Sequence, residues 1–263
     1  MQRTSTLSWV VALVIASASP SLAEAPSEVT THLQEPTGGF GAPGFELTDV
    51  SAWTLRNGEL EVGPTAVRYG LFDIIQIGTR FALNLFGALN GEAKWTIHDD
   101  ERIGVGVEAG LLRFDPSMSG IDDDFSLWAF PVALVASGRP SGSLRLHAAI
   151  EFLSARPERE ASDEIKKVAR YVGPVGRLAG RVAAEWRVNN AIALLAELET
   201  PFILHRATLR YAGEDGAFDF LRGTLTAQFV VGSFNARVGG GWGPSFLGRS
   251  GLFPVVELAF RIY

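Results

Sequence analysis

Residues 175–199 constrain the fold of this chain most strongly, because apolar and charged side chains alternate there with a period of two. Successive side chains of a β-strand point to opposite faces, so one face of this segment is apolar, from Leu178 to Trp186, and the other is charged. The charged positions are Arg177, Arg181, Glu185, Arg187, Glu197 and Glu199. Asn tolerates positive φ, so Asn189-Asn190 suits a tight turn. The segment therefore predicts an amphipathic β-hairpin.

The same alternation recurs along the chain from Thr48 onward. The alternating arms are about 9–13 residues long, close to the length that a tilted strand needs to cross the hydrocarbon layer of a membrane. The connections between them alternate in length. Short connections are predicted near residues 71–73, 98–101, 138–142, 189–190 and 233–235. Longer ones are predicted near residues 115–124, 154–174, 205–218 and 244–252.

Three local predictions concern the first third of this region. Asp49–Leu55 and Glu59–Gly70 are expected to pair as a hairpin around the turn Arg56-Asn57-Gly58, because Asn-Gly is a strong turn signal. A further arm is expected to start at Asp73. The second Asn-Gly pair, Asn90-Gly91, is expected to turn the chain back after that arm.

The N-terminal residues have the pattern of a secretory signal peptide. Arg3 is followed by a short apolar run, Leu7–Ala18, and then by the small-residue site Ser21-Leu22-Ala23. The apolar run is too short for a transmembrane helix. We expect a signal peptide over residues 1–23, cleaved near Ala23, and a flexible Pro-, Glu- and Gly-rich lead-in over residues 24–47. Residues 48–263 are then the folded domain.

Composition excludes several classes of protein. The chain has no cysteine, which excludes a disulfide framework, a lipoprotein anchor and thiolate metal sites. No later stretch is long and apolar enough for a membrane-spanning helix. The formal net charge is −6, and Lys and Arg are not clustered, so no nucleic-acid partner is expected. An exported chain without disulfides needs a large core or a lipid bilayer for stability.

These features together resemble those of bacterial outer-membrane β-barrel proteins, over about residues 48–263. The resemblance implies an all-β, antiparallel, up-and-down transmembrane barrel in the cell outer membrane, with short periplasmic turns and long extracellular loops. An even strand count favours twelve strands, with ten as the alternative if the short N-terminal arms do not pair. The expected partners are outer-membrane lipid and, through the C-terminal strand, the barrel-assembly machinery.

The aromatic residues fit this resemblance. Trp95 and Trp186 are expected outward near one rim of the barrel, and Trp128 and Trp242 outward near the other, as in the aromatic girdles of membrane barrels. The C-terminal strand fits less well. Its apolar residues are one position out of phase with the terminal aromatic, Tyr263, and they are Val256, Leu258, Phe260 and Ile262.

In each arm the charged residues occupy one set of alternate positions, and this set is predicted to face the lumen. Besides the charged residues of the opening hairpin, the candidates are Arg80, Glu92, Lys94, Glu108, Arg145, His147, Glu151, Arg222, Glu257 and Arg261. Such residues can line a channel for ions or small solutes, which is the expected function. They can equally close the lumen with ion pairs, leaving a structural or surface-interaction barrel. The sequence leaves both interpretations open.

No enzyme, cofactor or metal motif is complete. Gly104-Val-Gly106 lacks the third glycine of a dinucleotide fingerprint, and Ser245 lacks the closing glycine of a nucleophile elbow. His147 and Ser143 are the one candidate pair for catalysis on lipids. This enzymatic interpretation is less favoured than a channel or a structural barrel. The acidic run Asp122–Asp124 lacks calcium-loop spacing and is interpreted as a solvated loop. We expect neither enzymatic activity nor a cofactor.

Overall fold

Twelve antiparallel strands close into one barrel in the computed structural model, which describes residues 49–84, 87–100, 102–115, 126–157, 176–204, 221–244 and 250–262. The first three strands are short, and the other nine have 10–14 residues. The strands are β1 (Leu60–Val62), β2 (Val67–Leu71), β3 (Ile75–Thr79), β4 (Ala88–Asp99), β5 (Ile103–Phe114), β6 (Leu127–Gly138), β7 (Leu144–Pro157), β8 (Arg177–Arg187), β9 (Ile192–Leu204), β10 (Arg222–Val231), β11 (Phe234–Pro244) and β12 (Ser250–Ile262). The predicted fold class and the count of twelve are confirmed.

The barrel closes because the first strand pairs with the last. Leu60 lies opposite Ile262, and Val62 lies opposite Phe260, so neither strand keeps a free edge at this level. Every other strand pairs with its neighbours in sequence. The short N-terminal strands do pair, which makes the ten-strand alternative wrong.

The connections divide the barrel into two ends. We call the end with the brief connections, at residues 72–74, 100–102, 139–143, 188–191 and 232–233, the turn end. The opposite end, where β5 is joined to β6, β7 to β8 and β9 to β10, is the loop end. At the turn end, Asp100 accepts hydrogen bonds from the backbone amides of Arg102 and Ile103, which hold the pKa of Asp100 below its ordinary value.

The exterior of the barrel is apolar. Side chains at alternate positions are exposed, and the large ones among them are mostly aliphatic or aromatic. Trp95 and Trp186 are about half exposed toward the turn end, whereas Trp242 is half exposed toward the loop end. In β12 the side chains of Val256, Leu258, Phe260 and Ile262 point outward. Glu257 and Arg261, which lie between them in the sequence, are buried. Tyr263 lies outside the described residues.

Residues 49–55 are not a wall strand, so the predicted hairpin of this segment with residues 59–70 is wrong. Consecutive side chains from Ser51 to Leu55 are all buried, which no strand of a single-layered wall allows. The Asn57-Gly58 turn does form, with φ of 82° at Gly58, but it joins β1 to a segment inside the barrel. Residues 59–70 supply both β1 and β2, because Gly63 and Ala66 close a second turn between them.

The predicted turn at Asn90-Gly91 is also wrong, because both residues lie within β4. The chain reverses earlier, through a four-residue helix, α1 (Phe81–Asn84). The Asn90 side chain fixes this reversal: its amide donates to the Arg80 carbonyl and to Asn84, and its Oδ1 accepts from the Arg80 backbone N–H. Asn often lies within a turn, but Asn90 lies in a strand and stabilises the adjacent turn through its side chain.

Within the described part of the chain, no helix has the length and apolarity needed to cross a membrane. The acidic run Asp122–Asp124 and Ser245 lie outside the described residues.

Candidate functional site

The barrel interior collects the charged side chains. Of the residues predicted to face the lumen, Glu92, Arg187, Glu197 and Arg222 are half-buried. The remaining members of that set are buried, and they are Arg80, Lys94, Glu108, Arg145, His147, Glu151, Arg177, Arg181, Glu185, Glu199, Glu257 and Arg261. These buried side chains alternate with residues that are mostly exposed or half-buried, so they point into the barrel. They form several groups around the segment that occupies the lumen.

We call residues 49–55 the lumen segment. Asp49 is the one charged residue of this segment, and three cations from the wall surround its carboxylate. Lys94 Nζ lies 2.7 Å from Oδ2, while Arg80 and Arg68 each place a guanidinium nitrogen near Oδ1, at 3.5 Å and 3.6 Å. All four side chains are nearly excluded from solvent. The Asp49 carboxylate therefore compensates part of the positive charge that the wall buries here.

Wall carboxylates fix the same cations from the other side. Arg68 contacts Glu61 at 2.8 Å and Glu92 at 3.0 Å, and the Arg80 Nε donates to Glu92 at 2.7 Å. Each guanidinium is therefore anchored in the wall independently of the lumen segment. Glu108, which lies 3.8 Å from the Lys94 nitrogen, accepts a hydrogen bond from the Asp49 backbone N–H at 2.8 Å.

The backbone of the lumen segment is satisfied by wall side chains instead of a strand ladder. The Ala52 N–H donates to Ser137 Oγ at 2.8 Å, and the Ala52 carbonyl accepts from Thr96 at 2.9 Å. The Leu55 N–H donates to Gln76, and the Asp49 carbonyl accepts from Arg181. A small apolar contact supplements these bonds, since Ala52 packs against β6 and β7 at Ala133, Val135 and Ala149.

Trp53 anchors the segment near the turn end. Its indole N–H donates to Asp99 at 3.0 Å. The Arg139 guanidinium carbon lies 4.2 Å from the ring centroid and that of Arg145 5.3 Å, within cation–π range. His147 meets the same ring edge-on at 5.5 Å. A cationic and aromatic collar thus encloses the one tryptophan of the segment.

The wall across the lumen forms ion pairs of its own. Arg237, which is fully buried, donates to Thr226 at 2.8 Å and contacts Glu197 at 2.9 Å and Glu257 at 3.7 Å. In β7 to β9, Arg177 bridges Glu151 and Glu199 at 2.7 Å and 2.6 Å. These contacts cross-link adjacent strands from inside.

His147 does not pair with Ser143, so that candidate for lipid chemistry is wrong. Its Nδ1 lies 2.8 Å from Ser137 Oγ, whereas Ser143 faces Ser141. The Ser137 hydroxyl oxygen also accepts a hydrogen bond from the Ala52 N–H, so Ser137 joins His147 to the lumen segment. Both side chains are buried and contact the lumen segment, Ser137 at Ala52 and His147 at Trp53.

Three residues that matter here were missed from the sequence. Asp49 was assigned to a wall strand, and the loss of period-two alternation from Val50 to Leu55 is the signal that distinguishes it. Arg68 and Arg237 were overlooked, although both occupy inward-facing positions of their strands. Their neighbours Tyr69 and Val238 are exposed on the outer face. Among the described residues, no group of His, Asp and Glu has the arrangement of a metal site.

No protein-family model and no curated protein matches this chain. Among solved structures it is similar to a NanC porin, with a TM-score of 0.41 and 11% identity, covering 78% of this chain and 94% of that one. It is similar to the outer-membrane protein OmpT of Vibrio cholerae, with a TM-score of 0.42 and 10% identity, covering 75% of this chain and 63% of that one. It is also similar to the outer-membrane channel DcaP of Acinetobacter baumannii, with a TM-score of 0.35 and 11% identity, covering 86% of this chain and 69% of that one.

Proposed function

We propose that this protein is an outer-membrane channel for ions or small solutes and that the lumen segment closes it. One observation carries the proposal: a stretch of backbone that belongs to no strand occupies the interior of a closed, charge-lined barrel. A barrel that holds an additional chain segment encloses more space than its own wall side chains fill. Departure of the segment would leave a path lined by paired charges.

The contacts of the segment suit a removable plug. Most of them are hydrogen bonds and ion pairs to side chains, which water and solute ions can replace. A wall strand, by contrast, is held by a ladder of backbone bonds on both sides. The turn at Asn57-Gly58 gives the segment a hinge at its wall end, since Gly58 adopts a positive φ without steric cost.

The membrane location is part of the proposal. The apolar exterior, with tryptophans toward both ends, suits contact with outer-membrane lipid. Export would use the signal peptide at residues 1–23, and the turn end would face the periplasm. The outward apolar side chains of β12, ending at Ile262, would present the C-terminal strand to the barrel-assembly machinery.

A closed structural barrel is the second candidate, and the buried Arg237 favours it. Its contacts with Glu197 and Glu257 fill part of the lumen without the segment. If such pairs close the path alone, moving the segment would change nothing, and the protein would act through its loops or its outer surface.

A disulfide tether separates the two candidates. The hydroxyl oxygens of Thr54 and Thr96 are 3.4 Å apart, so cysteines at these positions would bring their sulfur atoms close together. The chain has no native cysteine, so the two cysteines of the double variant Thr54→Cys/Thr96→Cys could form a disulfide only with each other within one molecule. In planar bilayers we expect conductance steps from the wild type and the reduced variant, and none from the oxidised variant.

The single variants Thr54→Cys and Thr96→Cys control for the lost hydroxyl groups and should conduct in both redox states. Heat-modifiable gel mobility verifies that every sample is folded. If neither the wild type nor the reduced pair conducts at any voltage, the closed barrel is the correct reading. If the oxidised pair conducts like the reduced one, the segment is not the plug.

A further inference from the structure

We infer that the cations around Asp49 form a binding site for the carboxylate of a small monoanionic solute, which the lumen segment occupies in the closed barrel. This inference rests on the proposed channel function and adds a ligand class to it. Asp49 is then an internal stand-in for the ligand, and its carboxylate marks where that of the solute would bind.

The site is organised without Asp49. The Arg68 guanidinium is held by Glu61 and Glu92, and the Arg80 guanidinium is held by Glu92, at distances between 2.7 and 3.0 Å. These contacts come from the wall strands and remain when the segment leaves. Preformed cations pay little reorganisation cost when a new anion binds. The groups that contact Asp49 are therefore a ready receptor for another carboxylate.

The contacts match the two oxygens of a carboxylate. One oxygen receives the Lys94 ammonium at 2.7 Å, and the other lies within 3.6 Å of two guanidinium groups that approach from different strands. The ammonium acts as a compact point charge, and the planar guanidinium groups suit carboxylate oxygens. An apolar solute has no comparable partner at these three cations.

The surrounding charges limit the ligand to one negative charge. The three cations Arg68, Arg80 and Lys94 face three wall carboxylates, Glu61, Glu92 and Glu108, within 4 Å. Asp49 adds one anion to this balanced set, and a second negative charge would lie near the carboxylates of Glu92 and Glu108. The site should therefore favour a monocarboxylate over a phosphate dianion.

Solute and segment exclude each other, because they use the same cations. A bound monocarboxylate would stabilise the state in which the segment has left, by mass action on that state alone. The solute would in this way promote its own passage.

Binding of sodium butanoate to the folded, detergent-solubilised protein tests the site, measured by titration calorimetry at constant ionic strength. Asp49→Asn removes the competing charge and keeps the side-chain shape, and we expect butanoate to bind this variant at least tenfold more tightly than the wild type. Asp49→Ser is measured alongside it and should behave in the same way. Asp100→Asn, the same change at the exposed turn end, should match the wild type.

The double variant Asp49→Asn/Lys94→Met should lose the gain, because the shortest contact to the carboxylate is gone. Inorganic phosphate at pH 8 should bind Asp49→Asn more weakly than butanoate does. Equal butanoate affinity of the wild type and both Asp49 variants would overturn the inference, and so would stronger binding of phosphate. Intact conductance without butanoate binding refutes the site alone, whereas butanoate binding without conductance refutes the channel alone.

Discussion

Arg261 and Glu61 are 200 positions apart in the chain, yet the Arg261 Nε donates to the Glu61 carboxylate at 3.0 Å inside the barrel. The two residues are direct cross-strand partners at the seam between β1 and β12. The Arg261 guanidinium also reaches Glu59 at 3.7 Å. Since β1 contributes only three residue pairs to this seam, the buried ion pair supplies much of its specificity.

Arg261→Met should therefore destabilise the barrel by about 3 kcal/mol, because it leaves a buried carboxylate with fewer cations. The free energy of unfolding in urea, with the protein in lipid vesicles, measures this loss. Arg113→Met is the matched control: the Arg113 side chain is 42% exposed and contacts Asp115 at 3.4 Å. That change should cost less than about 1 kcal/mol. Equal losses for the two variants would show that the seam does not depend on its ion pair.

Close backbone contact in β11 gives a second prediction. A Cβ atom at Gly239 would lie 2.2 Å from the Leu225 carbonyl oxygen and 2.6 Å from the Thr226 Cα, so the strands must separate to admit it. Gly239→Ala should cost about 1–3 kcal/mol of unfolding free energy, as overpacking does. At the adjacent Gly240 the nearest atom is 3.7 Å from such a Cβ, and Gly240→Ala should be neutral or slightly stabilising. Similar values for both would contradict the steric argument.

Alternation with a period of two predicted most of the fold, because the wall of a barrel separates the exterior from the lumen and successive side chains of each strand point to opposite sides of it. The same alternation predicted the inward direction of most charged side chains of β4 to β12, which the structure buries. Parity alone is enough to place residues such as Lys94 and Glu257, and it would have placed Arg68 and Arg237 as well.

The errors arose where tertiary contacts replace local signals. Val50 to Leu55 is apolar enough for a strand, but only the side chains of Ser137, Thr96 and Gln76, distant in sequence, show that its backbone is satisfied inside the lumen. Asn90 is followed by Gly91, a pair typical of turns, yet the Asn90 side chain forms its hydrogen bonds with Arg80 and Asn84 in the reversal at residues 80–84. Neither outcome is encoded within a window of adjacent residues.

Backbone strain at the turn between β2 and β3 provides a third prediction. Phe72 adopts φ of 56° and is 70% exposed, although left-handed conformations disfavour bulky residues. Phe72→Asn should stabilise the protein by about 0.5–1 kcal/mol, because Asn tolerates this conformation. Phe72→Ala removes the same ring without that tolerance and is the control. If Asn and Ala give the same unfolding free energy, the gain comes from the lost ring and the strain argument fails.

The apolar exterior gives the last prediction, which tests the membrane location directly. Leu225 and Val231 lie on the outer face of β10 and are exposed to nearly the same extent, 66% and 69%. Six residues of a tilted strand separate them, about 15 Å along the barrel axis, so Leu225 lies near the bilayer midplane if Val231 marks the rim. Leu225→Arg should cost about 2–4 kcal/mol in lipid vesicles, and Val231→Arg less than about 1 kcal/mol. A water-exposed wall would tolerate both changes equally, and equal costs would refute the bilayer placement.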